Sequence, residues 1–192
     1  MDANAWTQYG CGVVALTARQ PDDARFWADL EAAAHSSAYS LGLIFYSQDS
    51  FPADLLRSKM AEYAVDLPYA ACSTADEIGG VDEGACRCLA LLFPRDQFAI
   101  TPFRIDGIRS IGFGRIVAQV KRERQALEHD PAPFAGTEDK GDTFALCLID
   151  GLSVVEEMVT AALHWALEDI PLLGGSARSE ERRVGKECRS RW

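Results

Sequence analysis

The segment Leu43-Ile44-Phe45-Tyr46, with Ser50, a helical stretch and Leu67-Pro68-Tyr69-Ala70-Ala71-Cys72-Ser73 behind it, has an ungapped echo later in the chain. It aligns onto Leu146-Cys147-Leu148-Ile149, Ser153, a second helical stretch and Ile170-Pro171-Leu172-Leu173-Gly174-Gly175-Ser176. Each copy reads as strand, helix, strand. Such a unit cannot bury the apolar face of its sheet alone and needs a neighbouring layer. The repeat therefore predicts an α/β fold, a layered sheet with flanking helices, built from two similar strand-helix-strand units. The second unit is expected to be incomplete, with uncovered sheet edge and apolar surface.

Hydrophobic periodicity fills in the elements around the repeat. Gly12 to Leu16 reads as a strand, and a helix opens at Pro21-Asp22-Asp23, with Phe26, Trp27, Leu30 and Ala34 on one face. Leu41 to Tyr46 is a nearly all-apolar strand, as expected for one covered on both faces. Ser50 is placed to cap a helix from Pro52 that buries Leu55, Leu56, Met60 and Tyr63. Beyond Leu67-Pro68 the chain is expected to pass through Cys72, Ser73 and Thr74, turn at Gly79-Gly80 and return hairpin-like as the strand Cys86 to Phe93. Pro94 to Pro102 reads as loop, Ile108 to Leu127 as a helical pattern interrupted by Gly112 and Gly114, and His129 to Gly141 as a linker. Phe144 to Ile149 is the next strand, and Ser153 to Leu167 the next helix, with Val154, Val155, Met158, Ala162 and Trp165 as its expected contacts.

The C-terminal residues Arg178 to Trp192 resemble, residue for residue, the translation of a widely used short-read sequencing adapter. They are read as an artefactual, disordered tail on a domain spanning residues 1–177. Removing the tail's six basic and three acidic residues from the chain's 19 and 29 deepens the net charge from −10 to −13. A surface that acidic repels phosphate backbones and anionic headgroups, so nucleic acid and membrane are not expected as partners. The N-terminus carries no positive leader, and no apolar run approaches a bilayer span, so a soluble, cytoplasmic protein is expected. Five cysteines outside the tail, an odd number, are expected as free thiols.

In layered α/β structures the loops after the strands face the ligand crevice. Both repeats place small polar residues there: Ser47, Asp49 and Ser50 with Cys72, Ser73 and Thr74, and Asp150 and Ser153 with Gly174, Gly175 and Ser176. Small residues admit a ligand close to backbone N–H groups. A helix N-terminus at Ser50 or Ser153 suits a carboxylate or phosphate, and Asp49 or Asp150 suits an ammonium, a combination that fits a zwitterion. The competing reading is that the serines only cap helices and the glycines only turn the chain.

Catalytic and metal-binding readings are weaker. Cys72, at a strand end beside Ser73 and Thr74, would serve as a thiolate nucleophile, but His35, His129 and His164 show no motif spacing relative to it. Cys86 and Cys88 share a strand face, yet no second Cys or His pair follows at a ligand spacing, so core packing is expected and no metal or cofactor is assigned. There is no phosphate-binding loop, dinucleotide fingerprint or nucleophile elbow. Glu156-Glu157 and Glu168-Asp169 read as solvated acids.

The segment Ala71-Cys72-Ser73-Thr74-Ala75-Asp76-Glu77-Ile78 resembles the hallmark Gly-Cys-Ser-Thr-Ala-Gly-Glu-Ile of the FIST domain, a sensory domain of bacterial signalling proteins and some eukaryotic F-box proteins. Leu43 to Ser47 before it, and Asp150-Gly151-Leu152 and Gly174-Gly175-Ser176-Ala177 after it, sit where that family has similar elements, so the resemblance covers about residues 10–177. Ala71 and Asp76 replace two hallmark glycines. The resemblance implies a non-catalytic, cytosolic sensor of small ligands such as amino acids or their derivatives, coupled to a signalling partner protein. An interaction module without a small ligand and a thiol-dependent enzyme built on Cys72 are the alternatives.

Overall fold

The computed structural model describes residues 6–74, 86–129, 143–151 and 153–177. The chain divides into two compact units, one ending at Phe98 and the other running from Ala99 to Arg178.

In the first unit the strands are β1 (Trp6–Gln8), β2 (Val14–Ala18), β3 (Tyr39–Ser47), β4 (Tyr69–Thr74) and β5 (Cys88–Pro94), with helices α1 (Ala24–His35) and α2 (Ala53–Tyr63). The sheet order is β1-β2-β5-β3-β4. β3 pairs parallel with β4 and antiparallel with β5, and β5 pairs antiparallel with β2. The expected hairpin-like return is therefore corrected: β5 does not pair with β4 but crosses beyond β3 to lie on its other side. Hydrogen-bond partners across a sheet are set by which edge is open, which adjacency in sequence does not specify. The Gly79-Gly80 turn lies outside the described residues.

α1 starts where its sequence asks it to. The Asp23 carboxylate accepts hydrogen bonds from the backbone N–H groups of Arg25 and Phe26, both at 3.2 Å, satisfying two donors that a helix start leaves unpaired. Phe26, Trp27, Leu30 and Ala34 are the buried residues of this helix, as their spacing predicts. They pack on the sheet face formed by Val14, Leu16, Ala18, Ile44, Tyr46, Cys88, Ala90 and Leu92. Trp27 stacks on Tyr63 of α2 at 5.7 Å, and the Lys59 ammonium sits over the Tyr63 ring at 5.0 Å. The Trp27 indole N–H donates to the Pro21 carbonyl at 2.8 Å, so its one polar group is satisfied. Ser50 does not cap α2: the helix begins after Pro52, which brings no side-chain hydrogen bond. Leu55 is exposed and Tyr63 half-buried; only Leu56 and Met60 of the four expected contacts are fully buried.

The second unit holds α3 (Phe113–Glu128), β6 (Ala145–Asp150), α4 (Glu156–Leu167) and β7 (Leu172–Ala177). Gly112, at φ 77°, ends the preceding turn, so α3 starts after it and Ile108 lies outside the helix. Ile116 and Val120 of α3 meet Val159, Ala162, Leu163, Ala166 and Leu167 of α4, and the inner residues Ala145, Cys147, Ile149 and Leu172 of the β6–β7 pair join them. α4 starts at Glu156 rather than Ser153, and its buried stripe differs from the expected one. Val154 and Trp165 are exposed, because α4 turns Val159, Leu163 and Ala166 toward α3. Arg124 of α3 donates to the Ala166 and Leu167 carbonyls at 3.3 and 3.4 Å and pairs with Glu168 at 3.1 Å, covering carbonyls that the end of α4 leaves open. Residues 130–141 of the expected linker lie outside the described residues.

The sequence echo is a structural repeat. Leu43 opposes Ala70 across β3–β4, and the equivalent Leu146 opposes Leu173 across β6–β7. The Gly42 N–H donates to Pro68 O at 2.8 Å, and the Ala145 N–H to Pro171 O at 2.8 Å. The first helical bonds match as well: Leu56 N–H to Pro52 O at 2.9 Å and Val159 N–H to Val155 O at 3.0 Å. The helix exits match through Leu67 N–H to Ala64 O at 3.2 Å and Ile170 N–H to Leu167 O at 3.1 Å.

Candidate functional site

Within the first unit, the C-terminal ends of the parallel pair β3 and β4 bring together most of the small polar residues singled out in the sequence. Ser47 lies opposite Thr74, Tyr46 opposite Ser73 and Phe45 opposite Cys72. Ser47 and Ser73 are buried, and the Thr74 hydroxyl donates to the Tyr46 carbonyl at 3.3 Å. The turn after β3 is fixed by its backbone. The Ser47 carbonyl accepts from Ser50 N–H at 3.2 Å and Phe51 N–H at 2.8 Å, and the Phe51 side chain is fully buried beneath it. Asp49 projects from this turn and is exposed, and Ser50 is half-buried. Ala75 to Ile78 of the hallmark segment lie outside the described residues.

Burial pushes the Cys72 thiol up to about 11, so it is protonated at neutral pH, and its sulfur lies 3.5 Å from the Ser73 carbonyl. Cys88 is raised further by burial, and Cys86, also raised chiefly by burial, lies 3.2 Å from the Cys88 carbonyl. Both side chains are buried, in keeping with packing. Among the described residues no group of three or more His, Cys, Asp or Glu side chains is placed to hold a metal ion.

Within the second unit the same turn recurs after β6. The Ser153 N–H donates to the Asp150 carbonyl at 2.9 Å, the counterpart of the Ser50 to Ser47 bond. Ser153 is 3% exposed, and its hydroxyl is a buried polar group without a hydrogen-bond partner among the described residues. A buried hydroxyl in that state costs on the order of 1–3 kcal/mol. Val154, next to it, holds φ 59°, a left-handed backbone that a β-branched residue adopts only under strain. Nothing in the residue pattern marks this strained position, since valine is among the last choices for it.

Asp150 lies opposite Ala177 at the end of β7, and Ile149 opposite Ser176. Gly174, Gly175 and Ser176 are exposed, and the two glycines differ in what they do. At Gly174, with φ 138°, an added Cβ would fall on the Cys147 backbone, so this glycine is required by the pairing of β6 with β7. At Gly175 an added Cβ meets nothing within 4 Å. The structure thus assembles Ser47, Asp49, Ser50, Cys72, Ser73 and Thr74 at the strand ends of one unit. Asp150, Ser153, Gly174, Gly175 and Ser176 lie in the other.

No helix among the described residues is long and apolar enough to cross a membrane. Comparison with curated proteins and with solved structures gave no match. The family model described as FIST N domain matches residues 40–189, from within β3 to the C-terminal segment. That span contains both strand-helix-strand units and covers well over half of the chain, so this chain belongs to the FIST N domain family, sensory domains of signal transduction.

Proposed function

We propose that this protein is a cytosolic sensory domain that binds a small ligand, an amino acid or a derivative of one, in the turns at the C-terminal ends of the paired strands and passes its occupancy to a signalling partner. The observation that carries the reading is the Ser153 hydroxyl, buried and without a partner among the described residues, beside the strained Val154 in the turn before α4. Folded chains seldom leave such a group unsatisfied, and a bound polar group would supply the missing partner. The equivalent turn of the first unit, with Ser47, Ser50, Ser73 and Thr74, offers the same backbone frame.

The roles expected in the second unit follow from residue type. Ser153 bonds a polar ligand atom, Asp150 offers a carboxylate to an ammonium, and the exposed Gly175 and Ser176 give access to backbone N–H groups. Glu156 and Glu157 occupy the first turn of α4, where they already complement the helix dipole. The ammonium end of a zwitterion is therefore favoured there over its carboxylate.

The test is thermal denaturation of the full chain against a panel of amino acids, repeated with Ser153→Ala. A ligand at one hundred times its Kd stabilises by about 2.7 kcal/mol. The expected result is a raised Tm with at least one amino acid, a shift lost in Ser153→Ala although the ligand-free variant, relieved of an unsatisfied buried hydroxyl, is at least as stable as the parent. No shift across the panel, or a shift unchanged in the variant, overturns the assignment.

A further inference from the structure

At the end of the five-stranded sheet away from the Ser47 turn, three segments of the first unit enclose an open cleft of about 710 Å³, within the ~300–1,000 Å³ of small-molecule sites. They are the turn from Gly10 to Gly12 between β1 and β2, Ser37 to Tyr39 at the start of β3, and Pro94 to Gln97 at the end of β5, with Gln8 beside them. Tyr39 and Ser47 are the two ends of β3, so about 25 Å of strand separates this cleft from the turn that holds Asp49 and Ser50. Backbone geometry shapes it. Gly12, at φ 83°, turns the hairpin against Pro94, where an added Cβ would meet the proline ring at 3.1 Å. Ser37 holds φ 53°, a left-handed backbone uncommon for serine.

Arg95 is anchored in this cleft by backbone carbonyls. Its N–H donates to Ala38 O at 2.7 Å, its Nε to Ser37 O at 3.4 Å and its Nη2 to Tyr39 O at 3.4 Å, so the left-handed turn at Ser37 helps to aim the guanidinium. Of the five guanidinium N–H donors, both on Nη1 and the second on Nη2 remain. Those are the end of the fork, the part that grips a planar carboxylate in bidentate fashion. In so acidic a chain a cation usually finds a carboxylate, as Arg25, Arg57 and Lys59 of the same unit do. Among the described residues no carboxylate lies within ion-pair reach of Arg95. The turn adds further donors. Tyr9 N–H donates to Val13 O and Gly12 N–H to Tyr9 O, both at 2.8 Å, which leaves the N–H groups of Gly10 and Cys11 without an acceptor among the described residues.

We infer that this cleft binds a small monocarboxylic acid, with its carboxylate on the Arg95 fork and its body against Tyr39 and Pro94. The N–H groups of Gly10 and Cys11 serve further acceptors on the ligand. The charge of the lining sets the class. Among the described residues lining the cleft, Arg95 and Asp96 alone are a basic and an acidic residue. One guanidinium balances one negative charge, and Asp96, in a chain of net charge −10, opposes a second. A phosphate dianion or a dicarboxylate is therefore disfavoured.

Cys11 is exposed and lines the cleft, so its alkylation by N-ethylmaleimide in the full chain, followed by peptide mass spectrometry, reads occupancy. Benzoate is the probe, with benzamide as its uncharged counterpart and inorganic phosphate as the more highly charged anion. The expected result is saturable protection of Cys11 by benzoate and none by benzamide or phosphate at the same concentrations. Arg95→Gln, at an exposed position, should leave the circular dichroism spectrum unchanged and raise the half-protecting benzoate concentration about tenfold. Asp96→Asn, also at an exposed position, should lower it. No protection by benzoate, equal protection by benzamide or phosphate, protection that Arg95→Gln leaves intact, or protection that Asp96→Asn weakens overturns the inference. Benzoate has no ammonium to offer Asp150, and Ser153→Ala should be protected as the parent is, so the inference stands or falls apart from the sensory reading.

Discussion

Substituting alanine at Gly174, and separately at Gly175, distinguishes a glycine demanded by strand pairing from one that merely borders a ligand turn. At Gly174 the backbone has φ 138°, a region that costs a residue with a Cβ on the order of 1–3 kcal/mol. The added methyl would also meet the Cys147 backbone, a rigid neighbour with no side-chain rotation to relieve the clash. β6 and β7 must then move apart at the Cys147–Gly174 pair, and a ladder hydrogen bond weakened there costs about another 1 kcal/mol. The total for Gly174→Ala is about 3 kcal/mol, a large share of the ~5–15 kcal/mol that holds a typical domain folded. Gly175→Ala meets open space and is expected within about 0.5 kcal/mol of the parent. Urea unfolding followed by tryptophan fluorescence, with Trp27 in the first unit and Trp165 in the second, reads both. A Gly174→Ala chain as stable as the parent, or equal losses at the two glycines, would show that the close approach of β6 and β7 does not govern this position.

Leu30→Ala, at a fully buried site, is expected to lose about 2–5 kcal/mol in the same assay, and Leu55→Ala, at an exposed one, less than about 1 kcal/mol; similar losses would contradict the assigned face of each helix. Val154→Gly relieves a left-handed backbone whose side chain is 75% exposed and should raise stability by about 1 kcal/mol; a fall would remove the case for strain beside Ser153. Cys72 titrates at an ordinary value of 9.0 when unfolded and at about 11 when folded, so the unfolded chain releases this proton first. Its contribution is complete below pH 9.0 and declines as pH rises toward about 11. Replacing Cys72 with Ala should flatten that part of the stability profile, and an unaltered slope would refute the buried-thiol assignment. Genomic sequencing across the Ala177 codon is expected to replace Arg178–Trp192 with a different reading frame, and recovery of the same codons would make the basic segment a native part of the chain.

By itself the sequence determined what local periodicity and side-chain chemistry control. The run Phe26, Trp27, Leu30 and Ala34 set the buried face of α1, and Asp23 set its start, because cap and stripe both act within a few residues. The ungapped echo carried the register of both parallel pairs, since equal spacing from Ser50 to Pro68 and from Ser153 to Pro171 leaves each strand the same return path. Tertiary structure decided what depends on a distant partner. β5 fills the far edge of β3 rather than pairing with β4 because a sheet edge is satisfied by whichever strand reaches it, and chain order does not encode that choice. Trp165 is exposed because α3 meets α4 on the stripe containing Val159 and Leu163, and the apolar pattern of α4 was wide enough to allow either face. Ser50 and Ser153 carry the residue type of a cap but lie before Pro52 and Val155, where their backbones close the turn after β3 and β6. That closure holds the Ser153 hydroxyl in the interior without a partner among the described residues, a property of packing that no residue code announces.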